Sequence, residues 1–303
     1  MTLLTYEIFR TVLDCGSFAK AADTLHLTPS AVSHSIASME DEVGFPLFIR
    51  LHGGVRLTPS GKEIAPYIKE LLSVEENLNQ RIEKIKGLEA GSVKLGTVNT
   101  VCTAWIPKIL KTFRKNYPHI TTEIYQGSYT DVINWERNGT IDIGIISEAG
   151  NDGLPFTPLY RDPLVVAVPK GYMPVGTETI SPEDLKDRPF VIQSDGSDED
   201  ILRVLHSFGL TVRANCRIID DQSLMAMVEC GEGVSIIPAL QTESVNAKVD
   251  FFPLFPEQYR TLGIITNTGR MPSPAAESMK DTIFSFVAGL GREPVIKHNY
   301  RNI

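Results

Sequence analysis

Residues 16–44 read GSFAKAADTLHLTPSAVSHSIASMEDEVG. Gly16 stops an amphipathic helix that begins near the N-terminus, and Ser17 is a good N-cap for a second helix. After a short turn, Pro29 or Ser30 opens a third helix whose apolar residues recur at helical spacing. Two short helices around a tight turn are typical of a helix-turn-helix. Any small three-helix bundle would show the same periodicity, so this pattern alone leaves DNA binding open.

The third helix has a polar face made of short side chains, which would let it approach base edges in a major groove. These residues are Ser30, Ser33, His34 and Ser35. Residues 46–57 then have strand-turn-strand character around Gly53-Gly54, a hairpin turn signal. Arg50 and Arg56 flank that turn, where a two-stranded wing can place them on phosphates. We therefore predict an all-α winged helix-turn-helix domain over residues 1–60.

The sequence pattern of residues 61–89 predicts a long linker helix. From Ile64 to Ile85 the apolar residues repeat at about 3.5-residue spacing, which is a heptad pattern. A helix of about 25 residues spans roughly 37 Å, and a small domain cannot cover such a stripe. We interpret the segment as a dimerisation helix, because paired helix-turn-helix units read half-sites one or more helical turns apart. A helix packed on its own chain is the alternative.

A family resemblance extends over residues 16–61 and, more weakly, over nearly the whole chain. It rests on residues 16–22, 25–28, 31–33 and 57–61, with Ile36, Met39-Glu40, Gly44, Leu47-Phe48 and Arg50 between them. This spaced set resembles the LysR-type transcriptional regulators. The resemblance implies a winged helix-turn-helix, a linker helix and a ligand-sensing domain related to periplasmic binding proteins. It also implies homodimers, or homotetramers built as dimers of dimers.

The recognition helix departs from the family's usual residues, since His34 and Ser35 stand where the family often has Arg and Gln. A bidentate base contact is worth about 1–3 kcal/mol of discrimination, so the operator sequence cannot be carried over. Residues 1–90 hold nine Lys and Arg against twelve Asp and Glu. Phosphate attraction is therefore expected to come mainly from Lys20, Arg50 and Arg56. The predicted DNA-binding set is completed by Ser17, Thr28, Pro29 and Thr58.

Residues 90–303 are predicted to form a two-lobed α/β effector-binding domain. Strand and helix signals alternate over residues 93–146 and again over 164–237, which is typical of parallel sheets with helical crossovers. Crossings near Asp162 and near Thr266 would divide the domain into two lobes. Lobe 1 then takes about 91–161 and 267–290, and lobe 2 about 162–266. The cleft between them is the predicted site of a small-molecule effector.

Candidate effector-binding residues follow from the rule that ligands of open α/β sheets lie beyond the carboxyl ends of strands, near helix N-termini. The rule selects Asn99, Thr100, Cys102, Thr103, Ser128, Ser147, Gln193 and Ser194. The resemblance supports Thr100, because the family's effectors usually contact the matching position. Ordinary N-capping is the alternative for each hydroxyl. The acids at 195 and 198–200 could disfavour a strongly anionic ligand, or merely cap the following helix.

The chain has 303 residues and a net charge of −8, which argues weakly against nucleic-acid binding, so the case for DNA rests on pattern. The four cysteines lack CxxC spacing and an accompanying His cluster, so no metal, cofactor or disulfide is predicted. No basic residue lies close to Cys102 in sequence, which disfavours redox sensing there. No GxSxG, HExxH, Walker or GxGxxG motif appears, so the chain is not predicted to be an enzyme.

The competing functions are a solute-binding protein and a structural adaptor. The first would need export, and no secretory signal is present, so we expect a cytoplasmic location. The second leaves the recognition helix and wing unexplained. The expected partners are double-stranded operator DNA, a small-molecule effector and a second copy of the chain, with RNA polymerase as an open candidate. Effector binding between the lobes is expected to shift a conformational population and so reposition the DNA-binding domains.

Overall fold

The computed structural model describes residues 1–87, 90–193, 199–210, 213–218, 220–267 and 269–291, with the backbone alone at 213–217. It contains two compact units: Met1–Ile85 with Asn138–Thr140, and Lys86–Arg137 with Ile141–Ile303. Each unit has hydrophobic core clusters of its own. Across the described ranges, no helix combines the length and the apolar character needed to span a bilayer.

The N-terminal unit contains the predicted winged helix-turn-helix. Its elements are α1 (Leu3–Cys15), α2 (Phe18–Thr24), α3 (Pro29–Val43), β1 (Phe48–Leu51), β2 (Gly54–Leu57) and α4 (Pro59–Ile85). The helix ends follow from local chemistry. Gly16 ends α1 in the left-handed conformation at φ 61°, and the Ser17 hydroxyl accepts the Lys20 N–H at the start of α2. Thr28 caps α3 in the same way through the Ala31 N–H.

One hydrophobic core joins these elements. Phe9 of α1 and Phe48 of β1 are buried with their ring centroids 4.9 Å apart, and Ile36 of α3 packs in the same cluster. The first half of α4 closes this core through Ala65, Ile68 and Leu72. The three helices and the wing are therefore held as one rigid body by apolar contacts.

A second set of apolar residues of α4 is not covered. Tyr67, Leu71, Val74, Leu78, Ile82 and Ile85 are all exposed, Leu78 by 58%. They repeat at three- and four-residue spacing, so they form one stripe along the helix. Exposed apolar stripes of this length are typical of helix–helix interfaces.

The C-terminal unit is α/β. Its helices are α5 (Asn99–Ala104), α6 (Ile106–Asn116), α7 (Tyr129–Arg137), α8 (Pro182–Leu185), α9 (Glu199–Ser207), α10 (Asp221–Glu229) and α11 (Pro274–Ala288). Its strands are β3 (Gly91–Thr97), β4 (Ile120–Gln126), β5 (Ile143–Ser147), β6 (Phe156–Pro169), β7 (Pro189–Gln193), β8 (Arg213–Ile218), β9 (Ser235–Pro238), β10 (Val249–Pro253) and β11 (Tyr259–Ile265). Short 3₁₀ turns cover Glu148–Gly150 and Ala239–Glu243.

The long strand β6 divides this unit into two lobes. Its first half pairs antiparallel with β11, which continues through β5 to the parallel strands β3 and β4. Its second half pairs antiparallel with β9 and β10. A bridge between Phe190 and Val234 adds the parallel pair β7 and β8 to the second group. Alternate residues of the second half face opposite sides, with Val166 in one core cluster and Val165 in another.

The second crossing between the lobes lies earlier than the sequence suggests. β11 pairs with β5, Leu262 lying opposite Ser147, so residues 259–265 belong to the sheet of lobe 1. The chain therefore leaves lobe 2 between β10 and β11, before Tyr259, and not near Thr266. The apolar run at 261–265 is typical of a strand, but the sequence of a strand does not specify which neighbour it pairs with. The sequence also misses β10 and the first half of β6.

Candidate DNA interface and effector cleft

The N-terminal part of α3 presents polar side chains to solvent. Thr28, Pro29, Ser30 and His34 are exposed, and Ser33 and Ser35 are half-buried. The Thr28 and Ser30 hydroxyls lie 3.0 Å apart at the start of the helix. The predicted recognition residues thus occupy one exposed end of a helix whose opposite side is buried in the core.

The wing is attached to α3 through Arg50. Its Nη2 donates to the Ser33 hydroxyl at 2.8 Å, and its guanidinium carbon lies 4.7 Å from the centroid of the Phe18 ring. The Val55 N–H also donates to the Gly16 carbonyl at 2.9 Å. Arg50 remains exposed, so its charge stays available to an anion. Arg56 and Lys20 are exposed as well.

Two residues of the predicted DNA-binding set have structural tasks. Ser17 caps α2. Thr58 is 8% exposed, and its hydroxyl donates to the Pro46 carbonyl at 2.8 Å and accepts the Gly61 N–H at 2.9 Å. That hydroxyl is committed to the backbone at the start of α4, so a structural role accounts for Thr58, and its DNA contact stays a prediction.

Replacing Thr58 by valine is therefore expected to lower the free energy of unfolding and to leave the salt dependence of DNA binding unchanged. The variant loses an N-cap and leaves buried backbone groups without their partner, which costs about 1–2 kcal/mol. Urea unfolding of the full chain measures the cost, and the salt dependence of DNA binding should keep its slope. Thr58→Ser, which retains the hydroxyl, is the matched control. A flattened salt slope in Thr58→Val would contradict the structural assignment.

In the C-terminal unit, a cavity of about 330 Å³ lies between the two lobes. Of the predicted effector-binding residues, the cavity brings together Asn99, Thr100, Ser128 and Gln193. The Asn99 side chain joins the two lobes, since its Nδ2 donates to Asp221 at 2.7 Å and its Oδ1 accepts from Gln126 at 2.8 Å. The other oxygen of Asp221 accepts from Gln193. These contacts come from strand ends, as the sequence rule expected.

Three predicted effector residues are not part of the cavity lining. Cys102 packs against the core of lobe 1, and burial raises the pKa of its thiol. Thr103 is exposed and donates its hydroxyl to the Asn99 carbonyl of the preceding turn. Ser147 is completely buried within its sheet. A strand or helix end fixes the neighbourhood of a residue but not the direction of its side chain. Ser194 lies outside the described residues.

The sequence analysis missed the buried charged centre of the cavity. Arg260, at the start of β11, is 3% exposed and Asp162 of β6 is 0% exposed. The Arg260 Nε lies 2.9 Å from the Asp162 carboxylate, and its Nη2 donates to the Thr100 hydroxyl at 2.9 Å. The Tyr129 hydroxyl lies 3.4 Å from Arg260 and donates to Asp200 at 3.1 Å. This network joins elements of both lobes.

Burial governs the titration of these groups. It raises the pKa of Asp162, while the guanidinium of Arg260 opposes that shift. Desolvation likewise raises the pKa of Asp221, against the hydrogen bonds from Asn99 and Gln193. The Tyr129 hydroxyl has a pKa raised by burial, so it stays protonated and can donate to Asp200.

Gln241 is a further lining residue that the sequence analysis passed over. It follows β9 in the Ala239–Glu243 turn and is 1% exposed. The strand-end rule, applied to β9 as it was to the first strands, would have selected it. No comparable signal marks Arg260, which lies at the start of its strand and not after the strand's end.

Two family profiles match the chain. The one described as the LysR substrate binding domain covers residues 86–286, more than half of the chain, and the one described as a bacterial regulatory helix-turn-helix protein of the lysR family covers residues 3–62. The chain belongs to the LysR family. Membership in this family of transcriptional regulators confirms the predicted fold class and the expectation that the chain is not an enzyme.

Individual LysR-family proteins are similar along most of the chain. The HTH-type transcriptional regulator YvbU of Bacillus subtilis is 26% identical over 280 residues, which are 91% of this chain and 96% of YvbU. A full-length OxyR variant from Pseudomonas aeruginosa has a TM-score of 0.75 at 22% identity, covering 94% of this chain and 98% of OxyR. The effector binding domain of QuiR in complex with shikimate has a TM-score of 0.58 at 22% identity, covering 66% of this chain and 98% of that QuiR domain. The two structures support the fold.

Proposed function

We propose that this LysR-family regulator binds operator DNA through the exposed end of α3 and the wing, and that a small molecule bound between the lobes controls that binding. The proposed units are the winged domain at 1–60, the linker helix at 61–89 and the effector domain from 90. The active form is a cytoplasmic homodimer that can pair into a tetramer. RNA polymerase stays an open candidate partner.

The observation that carries the DNA proposal is the placement of Arg50. The guanidinium donates to Ser33 of the recognition helix while remaining exposed, so one residue links the wing to that helix and also presents a cation. Lys20 and Arg56 add exposed charge from α2 and β2. Phosphate contacts of this kind fix the orientation of a helix whose polar face reads bases.

Arg50→Ala is expected to weaken binding to operator and competitor duplexes by a similar factor, about tenfold at modest salt. The proposed dimer loses one phosphate contact in each subunit, so the slope of log K against log salt should also fall by about 2. Fluorescence anisotropy over a range of salt concentrations measures both quantities, with the duplex taken from the region upstream of the gene.

The matched control for Arg50 is Arg161→Ala. Arg161 lies in the C-terminal unit with its guanidinium 4.3 Å from the Tyr259 ring, so the control removes the same charge from the chain without touching the winged domain. If Arg50→Ala and Arg161→Ala share one salt slope, the phosphate role of Arg50 is wrong.

The effector proposal rests on the cavity. Its volume falls within the range of small-molecule sites, and it is lined by groups from both lobes, including Asn99, Thr100, Ser128 and Gln193. The shikimate complex of QuiR shows that a related domain holds a small organic molecule. A ligand that contacts both lobes favours one angle between them, which would shift the population of DNA-binding conformations.

The joint test is a metabolite screen followed by DNA binding. Any ligand that binds the folded state preferentially raises the melting temperature of the full chain. Each such ligand should change operator affinity of wild-type protein. If the protein prefers no duplex over competitor DNA, with or without metabolites, the proposed function is wrong. If it binds DNA but no metabolite alters that binding, only the proposal of an effector is wrong.

A further inference from the structure

The charges that line the cavity are strongly unbalanced. Four carboxylates line it, from Asp131, Asp200, Asp220 and Asp221, against one guanidinium, Arg260. Within the described part of the chain, no other Lys, Arg or His lines this cavity. Its surface therefore carries an excess of negative charge.

The guanidinium of Arg260 does not offset that excess. Arg260 is already paired with Asp162, a fifth and completely buried carboxylate just behind the cavity wall. Its remaining contacts go to the hydroxyls of Thr100 and Tyr129. Arg203 approaches Asp200 only to 3.6 Å, and its side chain is 54% exposed. The buried guanidinium of Arg260 is thus shared between Asp162 and the lining carboxylates Asp200 and Asp221, and among the described residues these carboxylates outnumber it.

Two buried polar groups of the lining also lack hydrogen-bond partners. Gln241 is 1% exposed, and neither its side-chain oxygen nor its side-chain nitrogen has a partner within the described ranges. Asp200 is 3% exposed, and its Oδ1, which lies 3.6 Å from the Arg203 Nη2, also lacks a hydrogen bond, while its other oxygen accepts from Tyr129. Buried polar atoms are nearly always satisfied, so a bound molecule is the natural source of the missing donors and acceptor.

We infer that the ligand of this cavity carries an ammonium group that binds beside Asp200, with a hydrogen-bonding group that engages the Gln241 amide. It is a small organic amine or an amino acid, not a simple carboxylic acid. This rests on the proposed function, since it names the chemical class of the effector.

The alternatives fit the lining less well. A carboxylate ligand without an ammonium group would add net negative charge among the four lining carboxylates, with the guanidinium of Arg260 already paired. A metal ion needs converging ligands, and no group of three or more His, Cys, Asp and Glu suited to one occurs among the described residues. An ammonium ion donates three hydrogen bonds, which suits Asp200 and the Gln241 oxygen.

Matched pairs of small molecules test the class directly on the full-length protein. The first pair is 1,4-diaminobutane and succinate, which have four carbons each and opposite end charges. The second is L-serine and L-glycerate, which differ in an ammonium against a hydroxyl. We expect the amine of at least one pair to raise the melting temperature and its partner to leave it unchanged. Calorimetry then supplies the dissociation constant.

Variants locate the effect in the cavity. Asp200→Asn should weaken binding of the amine at least about tenfold, because it removes the nearest charge, and Gln241→Leu should weaken it severalfold. Asp220→Asn is a second charge-removing variant, included in case Asp200→Asn fails to fold. Asparagine can still cap α10, so this variant removes one lining charge and keeps the helix end. It should weaken binding by a smaller factor. Asp152→Asn, at a surface ion pair with Arg137, is the control and should bind like the wild type.

Stabilisation by succinate or glycerate with no response to the amines would overturn the inference, and so would a response to neither member of either pair. An amine effect that persists undiminished in Asp200→Asn, Gln241→Leu and Asp220→Asn would also overturn it. Each of these results leaves the proposed function standing if operator binding and its control by another metabolite are observed.

Discussion

Leu78→Glu should convert the protein into a monomer at concentrations where the wild type is a dimer, and operator binding should fall with it. Leu78 lies in the middle of the exposed stripe of α4 and is 58% exposed in the single chain. In the proposed dimer each copy would bury its leucine against the partner, worth roughly 1.5–3 kcal/mol per side chain. Glutamate loses this burial twice and adds a buried charge, so the dimer dissociation constant should rise at least about 100-fold.

Loss of the dimer matters for DNA because two linked half-site readers gain about 10²–10⁴ in avidity over one. Sedimentation velocity measures the oligomeric state, and anisotropy on the same samples measures operator affinity. Asn79→Glu is the matched control, because it adds the same charge at the next residue, off the apolar stripe and also exposed. A Leu78→Glu protein that remains dimeric would show that another surface holds the copies together.

Arg260→Met is expected to cost about 3–5 kcal/mol of unfolding free energy, the largest stability effect among the charged residues described above. The substitution keeps an apolar stem of similar length but leaves Asp162 buried without its counter-ion. Urea unfolding of the full chain measures the loss. Arg203→Met removes a half-exposed arginine from the same region, and it should cost no more than about 1 kcal/mol.

The cost of Arg260→Met should also depend on pH. Without the guanidinium, burial and the negative charge of Asp200 raise the pKa of Asp162, and only the hydrogen bond from the Leu240 N–H lowers it. The pKa of Asp162 in the folded variant therefore lies above its value in the unfolded chain. An acid with a raised folded pKa contributes stability that is present at low pH and is lost as pH rises through the folded pKa. The variant should therefore be more strongly destabilised at pH 8 than at pH 5. Adding Asp162→Asn to Arg260→Met should recover most of the lost unfolding free energy and remove this pH dependence. If the double variant is as unstable as Arg260→Met alone, the ion-pair explanation is wrong.

The winged domain was determined largely by its own sequence. Gly16, Ser17 and Thr28 act on backbone groups within four residues, so their effect on helix ends can be predicted without knowing the fold. The Gly53-Gly54 signal also predicted a local hairpin, in which His52 and Gly53 form the turn and Gly54 pairs with Leu51. The heptad spacing of α4 likewise predicted a stripe that the single chain leaves exposed.

The chemistry of the cavity was decided by tertiary structure. Arg260 meets Asp162 across 98 residues of chain and Thr100 across 160, and nothing near Arg260 in sequence marks it as buried. The same limit explains Thr58, whose hydroxyl is committed to the Pro46 carbonyl twelve residues away, and Cys102, which packs into a core. Caps and periodicities act over a turn or two of chain, whereas burial and charge pairing depend on which distant strands become neighbours. Strand β6, for example, contributes to both lobes.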